Sequence, residues 1–376
     1  MSEIQVHDLR LTFLWAETLP DLVGEESAPP GSPMPFLWSR EEYQDRFAAI
    51  LAGYPDGLGL QAPWPRPAGN FFWTYYLEKK VPGEIPGETA WRFLVPFRGK
   101  APARVSAAPV PDSRFFVEPF FYPHGVGLVL STRLVGSWTL SEAVDIARKL
   151  RSDKELKVDW DDGSQEVLNA DAFGRKGLKA LGRRVFGDGW AGSAAQPEAF
   201  SIATLVRAEG ADSEGPFPYG GEVHRALQGL TTWSSIWRED TPLSLAEKRQ
   251  PVRRSRPASH CLYLGSRGRA VWAPALFQAQ EKRHLSCYHR NLTFLSLQVE
   301  SLAGLVALTA EKLPQLQAGT KHESCARRAV GILARLYGEK VEKTYQSRSP
   351  RDQIDQGGSL EAINAVRLHF HQEPLK

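Results

Sequence analysis

Residues 126–151 read VGLVLSTRLVGSWTLSEAVDIARKLR, an aliphatic and β-branched run that passes without a linker into a segment of helical period. Val126 to Val135 predicts a buried strand. Thr139 and Glu142 then stand at the spacing of a capping box, in which the hydroxyl and the carboxylate each satisfy a backbone N–H of the other residue. A strand feeding directly into a helix places the chain among α+β folds, and the flanking sequence agrees.

Upstream, IQVHDLRLTFLW predicts a strand whose apolar parity shifts from Ile4 and Val6 to Leu9, Leu11, Phe13 and Trp15. A bulge near Asp8 accounts for the shift. SREE at 39–42 announces a helix carrying Tyr43, Phe47, Ile50 and Leu51, and strand-like runs follow at 71–80, 91–99 and 103–110. Downstream, two alternating runs flank Asp162 and Gly163, a strong hairpin signal because glycine accepts positive φ. Helices are expected near Leu178 to Phe186 and Val223 to Trp237, and a strand over Ser201 to Arg207. LYLGSRGRAVWAPALF predicts another hairpin, closed by Ser266 to Arg269.

From about Glu281 the pattern changes to long helices. The first carries Leu295, Val299, Leu302, Val306 and Leu313 on one stripe, an interface for other helices, and Pro314 and Gly319 end it. The second opens at Thr320 with Glu323 in capping-box register and carries Val330, Leu333, Tyr337 and Val341. Ser359 caps a short last helix. The expected organisation is an α+β region over 1–247, divisible near 187–198, a basic loop at 248–257, a hairpin over 258–280 completing the α+β part, and a helical region over 281–376. Mixed or antiparallel sheets with flanking helices are the expected class.

Composition narrows the class of function. Among 376 residues, 42% are hydrophobic and 24% charged, as in ordinary globular proteins. Three cysteines, an odd number without a CxxC pair, argue against a disulfide framework and for a reducing, cytoplasmic setting. The first residues lack the basic and apolar blocks of a secretory signal. Gln298 and Glu300 interrupt the most apolar stretch, 291–310, so no membrane contact is expected.

The net charge of +3 hides a strong asymmetry. Residues 1–60 hold three basic and ten acidic groups, whereas residues 248–290 hold ten Lys/Arg against Glu281 alone. Lys248, Arg249, Arg253, Arg254 and Arg256 crowd a Pro-bounded loop, with Arg267 and Arg269 on the neighbouring turn. Guanidinium forks suit phosphate oxygens, so nucleic acid or an acidic protein partner fits this segment.

Chemistry has fewer footholds. GDGWAG at 187–192 matches a dinucleotide-binding spacing but follows a helix rather than a strand, and it runs on as a linker. Asp159, Asp161, Asp162 and Glu166 form an acidic cluster, with Glu155 and Lys157 in an E-x-K pair; together they suggest a divalent-metal nuclease, set against a solvated hairpin tip. Glu118 and His124 lie in RFFVEPFFYPHGVG, where Pro119 is expected to end regular pairing; they would make an acid–base pair beside aromatic rings.

His284 with Cys287 and His322 with Cys325 provide four zinc-ligand types. In a helical hairpin turning near Gln317, however, the two pairs stand roughly 30 Å apart at 1.5 Å per residue. Zinc would require a break in the first helix. No cofactor is expected, except a divalent metal under the nuclease alternative. The preferred function is a non-catalytic subunit or adaptor of an intracellular complex, and the alternative is a phosphodiester-cleaving enzyme using residues 155–166 or the Glu118/His124 corner.

Overall fold

The computed structural model describes residues 4–18, 97–98, 100–110, 113–122, 125–186, 199–207, 226–227, 229–231, 261–265, 267–273, 279–316, 318, 321–338, 351, 353–355 and 359–375. The predicted helix after Ser39, most of the strand-like runs at 71–80 and 91–99, His124 and the loop 248–257 lie outside these residues. The fold is α+β, with mixed sheets and a helical C-terminal part.

Ten strands are described. They are β1 (Gln5–Thr18), β2 (Phe97–Arg98), β3 (Ala103–Ala107), β4 (Phe115–Tyr122), β5 (Gly125–Thr139), β6 (Leu156–Trp160), β7 (Gln165–Leu168), β8 (Phe200–Arg207), β9 (Cys261–Gly265) and β10 (Gly268–Ala273). Seven form one sheet in the order β2-β4-β5-β1-β8-β10-β9, and β3-β6-β7 form a second. All pairings are antiparallel except β8 with β10. The helices are α1 (Leu140–Ser152), α2 (Ala170–Phe186), α3 (Ala279–Glu311), α4 (Lys321–Gly338) and α5 (Ser359–His369).

The two longest strands, β1 and β5, pair along almost their whole length, and their register slips between Val6 and Asp8. The parity shift in the sequence marks this irregularity. Beyond it, Leu9, Leu11, Phe13 and Trp15 are fully or almost fully buried on one face of the sheet. Asp8, Arg10, Thr12 and Leu14 project from the other.

The strand-to-helix passage forms as its sequence predicts. Thr139 Oγ1 accepts from the Glu142 N–H at 3.2 Å, and Glu142 Oε2 accepts from the Thr139 N–H at 2.8 Å. Such a cap contributes about 1 kcal/mol. Leu140, Ala143, Val144, Ala147 and Leu150 turn inward from α1.

Helix α2 starts eight residues earlier than the expected Leu178. The Asn169 side chain accepts from the Ala172 N–H at 2.8 Å and caps it. Glycines in the first turns mask the start in the sequence, and they serve close packing: a Cβ on Gly174 would stand 2.2 Å from the Trp15 ring. Phe173 meets Trp15 edge-on at 5.9 Å and stacks on Trp160 at 5.8 Å. One phenyl ring thus joins the two sheets.

Pro119 does not end pairing as the sequence suggests. Strand β4 continues to Tyr122 against β5, with Pro119 opposite Leu128. Among the described residues, β2 pairs with Phe120 and Phe121 on the other side of β4. Proline lacks an N–H to donate, and it is tolerated where a strand runs along a sheet edge. The hairpin of β6 and β7 turns at Gly163, whose φ of +87° is a conformation glycine adopts freely.

Helix α3 crosses β1, β8 and β5, and α4 and α5 pack on it. Val299, Leu302 and Val306 are buried with Ala326, Val330, Leu333, Ile363 and Val366. Leu295 falls on the same helix, but its side chain lies outside the described set. Among the described residues, no helix is long and apolar enough to cross a membrane.

Candidate functional site

The sheet face beneath α3 carries two kinds of surface. Leu14, Phe120, Val129, Phe200, Ile202 and Val271 close on Leu297 of α3 as an apolar patch. Beside it lies a seam of polar groups from β1, β5, β8, β10 and α3.

At one end Asp8 lies between two arginines. Arg10 donates to it at 3.0 and 3.3 Å, and Arg133 donates from β5 at 2.7, 3.0 and 3.2 Å. The side chains of Asp8 and Arg10 are 6% and 7% exposed, whereas that of Arg133 is 53% exposed. Burial alone pushes the Asp8 carboxyl up, but the hydrogen bonds and charges of Arg133 and Arg10 outweigh it and hold the carboxyl below its ordinary value.

Next along the seam, His289 of α3 reaches between two strands. Its Nε2 meets Thr12 Oγ1 at 2.9 Å and its Nδ1 meets Thr204 Oγ1 at 2.8 Å. A neutral imidazole fits, because one nitrogen donates while the other accepts from a hydroxyl. Burial, reinforced by the Arg10 charge, lowers its pKa to about 3, with Asp8 opposing. The ring therefore stays uncharged at neutral pH.

The far end is built on Arg269. This residue of β10 is fully buried, lies 5.7 Å over the Phe200 ring and donates to Gln353 Oε1. Gln353 in turn donates to Glu300 at 2.6 Å and to the Ser296 carbonyl at 3.1 Å. Burial pushes the Glu300 carboxyl up, against the opposing effects of the Gln353 hydrogen bond and the Arg269 charge.

Chemically, the seam's groups largely engage one another. Its imidazole is engaged at both nitrogens, Asp8 is held in two guanidinium forks, and Glu300 is met by Gln353. These groups fix α3 on the sheet at one register, since sliding the helix would strand buried polar atoms.

The residues singled out in the sequence are distributed elsewhere. Arg267 is exposed at the turn between β9 and β10, but Arg269 faces the interior and leaves the surface cationic set. Lys248, Arg249, Arg253, Arg254 and Arg256 lie outside the described residues. Asp159 and Asp161 sit on the exposed hairpin of β6 and β7, where Asp161 pairs with Lys100 at 3.4 Å. Asp162 accepts from Ser164 within its own turn. Glu166 holds Lys176 at 2.6 Å and accepts from the Trp160 indole at 3.4 Å.

Glu118 is half-buried on β4, without a described position for His124 beside it. The side chains of His284, Cys287, His322 and Cys325 are likewise outside the described set. The backbone of α3 nevertheless runs unbroken from Ala279 to Glu311, without the interruption a zinc site would need.

No family model, curated protein or solved structure matches the chain. Its function is therefore read from its own residues. No motif in the sequence assigns a role to Asp8, Arg10, Thr12, Thr204 or His289 as a group. The available signal was the mixed face of β1, where Asp8, Arg10 and Thr12 give way to Leu14 and Ala16, as happens when a polar face is partly covered.

Proposed function

We propose that the chain is a non-catalytic subunit or adaptor of an intracellular, cytoplasmic multi-protein complex, with its basic segment contacting a polyanionic partner, nucleic acid or an acidic protein. The observation that carries this reading is the charge of residues 248–290, ten Lys/Arg against one Glu. Even with Arg269 buried, nine cations remain against that one acid. Pro251 and Pro257 bound a stretch that favours extended backbone and presents its cations at little ordering cost.

The engagement of Asp8 by two arginines and of His289 by two threonines supports a structural rather than a catalytic use of these buried groups. Pairing of Asp161 with Lys100 and of Glu166 with Lys176 likewise weakens the metal-dependent nuclease alternative, because two of the carboxylates it would use are matched by cations.

The variant Arg253→Glu, Arg254→Glu, Arg256→Glu tests the reading. It is expected to keep the wild-type melting temperature and to lose binding to labelled RNA and DNA alike, since phosphate contacts position without specifying sequence. For the wild type, log K should fall steeply with log salt, with about two to three units of that slope owed to these three residues. Wild-type binding to neither polymer at low salt overturns the nucleic-acid form; retention of a polyglutamate chain instead would identify an acidic protein partner.

A further inference from the structure

The described basic side chains of helix α2 all lie on its exposed side. Phe173, Gly174, Gly177, Leu178 and Leu181 face the sheets and are buried, while Arg175, Lys176, Lys179 and Arg183 are exposed. Arg175, Lys179 and Arg183 follow one another at four-residue intervals, so they rise about 6 Å per step along nearly one line of the helix.

Neutralisation is selective. Glu166 takes Lys176, at the side of the row. Asp171, the one acidic residue in the helix, accepts from the Ala199 N–H at 3.1 Å. Among the described residues, no carboxylate is paired with Arg175, Lys179 or Arg183. Like charges at this spacing repel one another, and a partner of opposite sign relieves that repulsion.

We infer that this face of α2 is a second polyanion-binding surface, and that its partner is the phosphate backbone of a nucleic acid. Among the described residues, the exposed side chains of α2 include neither the large apolar anchors of a protein interface nor the Trp, Phe or Leu border with which a helix enters a membrane surface. A row of cations without apolar neighbours suits a partner recognised by charge and spacing alone, and steps of about 6 Å lie close to the roughly 7 Å spanned by two base-pair rises. The inference extends the proposed function to another part of the molecule and does not depend on the basic loop.

The test compares the full chain with the variant Arg175→Gln, Lys179→Gln, Arg183→Gln, in which glutamine keeps helix propensity and removes charge. Labelled duplex DNA and single-stranded RNA are titrated at several salt concentrations, beside polyglutamate and phosphatidylserine vesicles. The wild type should bind the nucleic acids, and the variant should lose about two to three units from the slope of log K against log salt, with an unchanged melting temperature. Equal slopes for wild type and variant overturn the inference, as does wild-type binding to polyglutamate or vesicles but to neither nucleic acid. The Arg253, Arg254, Arg256 variant separates the two proposals: loss of slope there alone leaves the proposed function standing and α2 uninvolved, and loss in the α2 variant alone does the reverse.

Discussion

Acidification from pH 6.5 to 4.5 is expected to destabilise the protein by roughly 2 kcal/mol through His289 alone, at a slope approaching about 1.4 kcal/mol per pH unit. The imidazole is enclosed between Thr12 and Thr204, and its pKa falls to about 3 in the folded chain from an ordinary value near 6.5. Below that ordinary value the unfolded chain takes up a proton that the folded chain refuses, so stability present above pH 6.5 is lost as pH falls toward 3. Asp8, whose folded pKa is also lowered, adds its loss only in the carboxylate range below this window. Glu300, raised by burial, works in the opposite direction. The difference between wild type and His289→Gln isolates the histidine: urea midpoints of the wild type should fall more steeply with decreasing pH. Parallel pH profiles for the two proteins would show that the ring is hydrated in the folded state.

The second large effect is expected at Asp8. Removing its carboxylate in Asp8→Ala leaves the Arg10 guanidinium, 7% exposed, beside an empty anion position and should cost about 3–5 kcal/mol. Arg133 is half-exposed and turns to water at little cost. Most of the penalty therefore belongs to Arg10, and the double variant Asp8→Ala, Arg10→Met should recover much of the lost stability. Denaturant unfolding of the two single variants and the double variant measures the coupling. Strict additivity would mean that Asp8 and Arg10 do not depend on each other.

These two sites show which parts of the molecule were legible in the sequence. The bulge before Asp8, the capping box at Thr139 and the turn at Gly163 are local events, specified by residues a few positions apart, and each formed where its residues predict. The seam is different in kind. Thr12 and His289 are 277 positions apart, and nothing near either residue announces the other. Asp8, Arg10 and Thr12 alternate with an apolar set as the water-facing side of any strand would, and only the packing of α3 turns that side into an interior. Arg269 misled for the same reason: in the sequence it belongs to a basic turn, and in the fold it points beneath a helix toward Gln353. Pro119 is expected to end pairing, whereas β4 continues through it against β5. Gly174 and Gly177 weaken the helical signal before Leu178, and the fold uses Gly174 to bring α2 against Trp15, with Arg175, Lys179 and Arg183 facing outward.

The central claim, that this chain acts by binding a polyanion within a larger assembly rather than by catalysis, is tested most directly by purifying it from its own cells. Light scattering would be combined with the ratio of absorbance at 260 and 280 nm, and the eluted material assayed for phosphodiester cleavage with Mg²⁺ and Mn²⁺. The account predicts a mass above that of one chain, an absorbance ratio raised by bound nucleic acid, and no metal-dependent cleavage. A single chain with a protein-only spectrum, or one that cleaves phosphodiesters when metal is added, would contradict it.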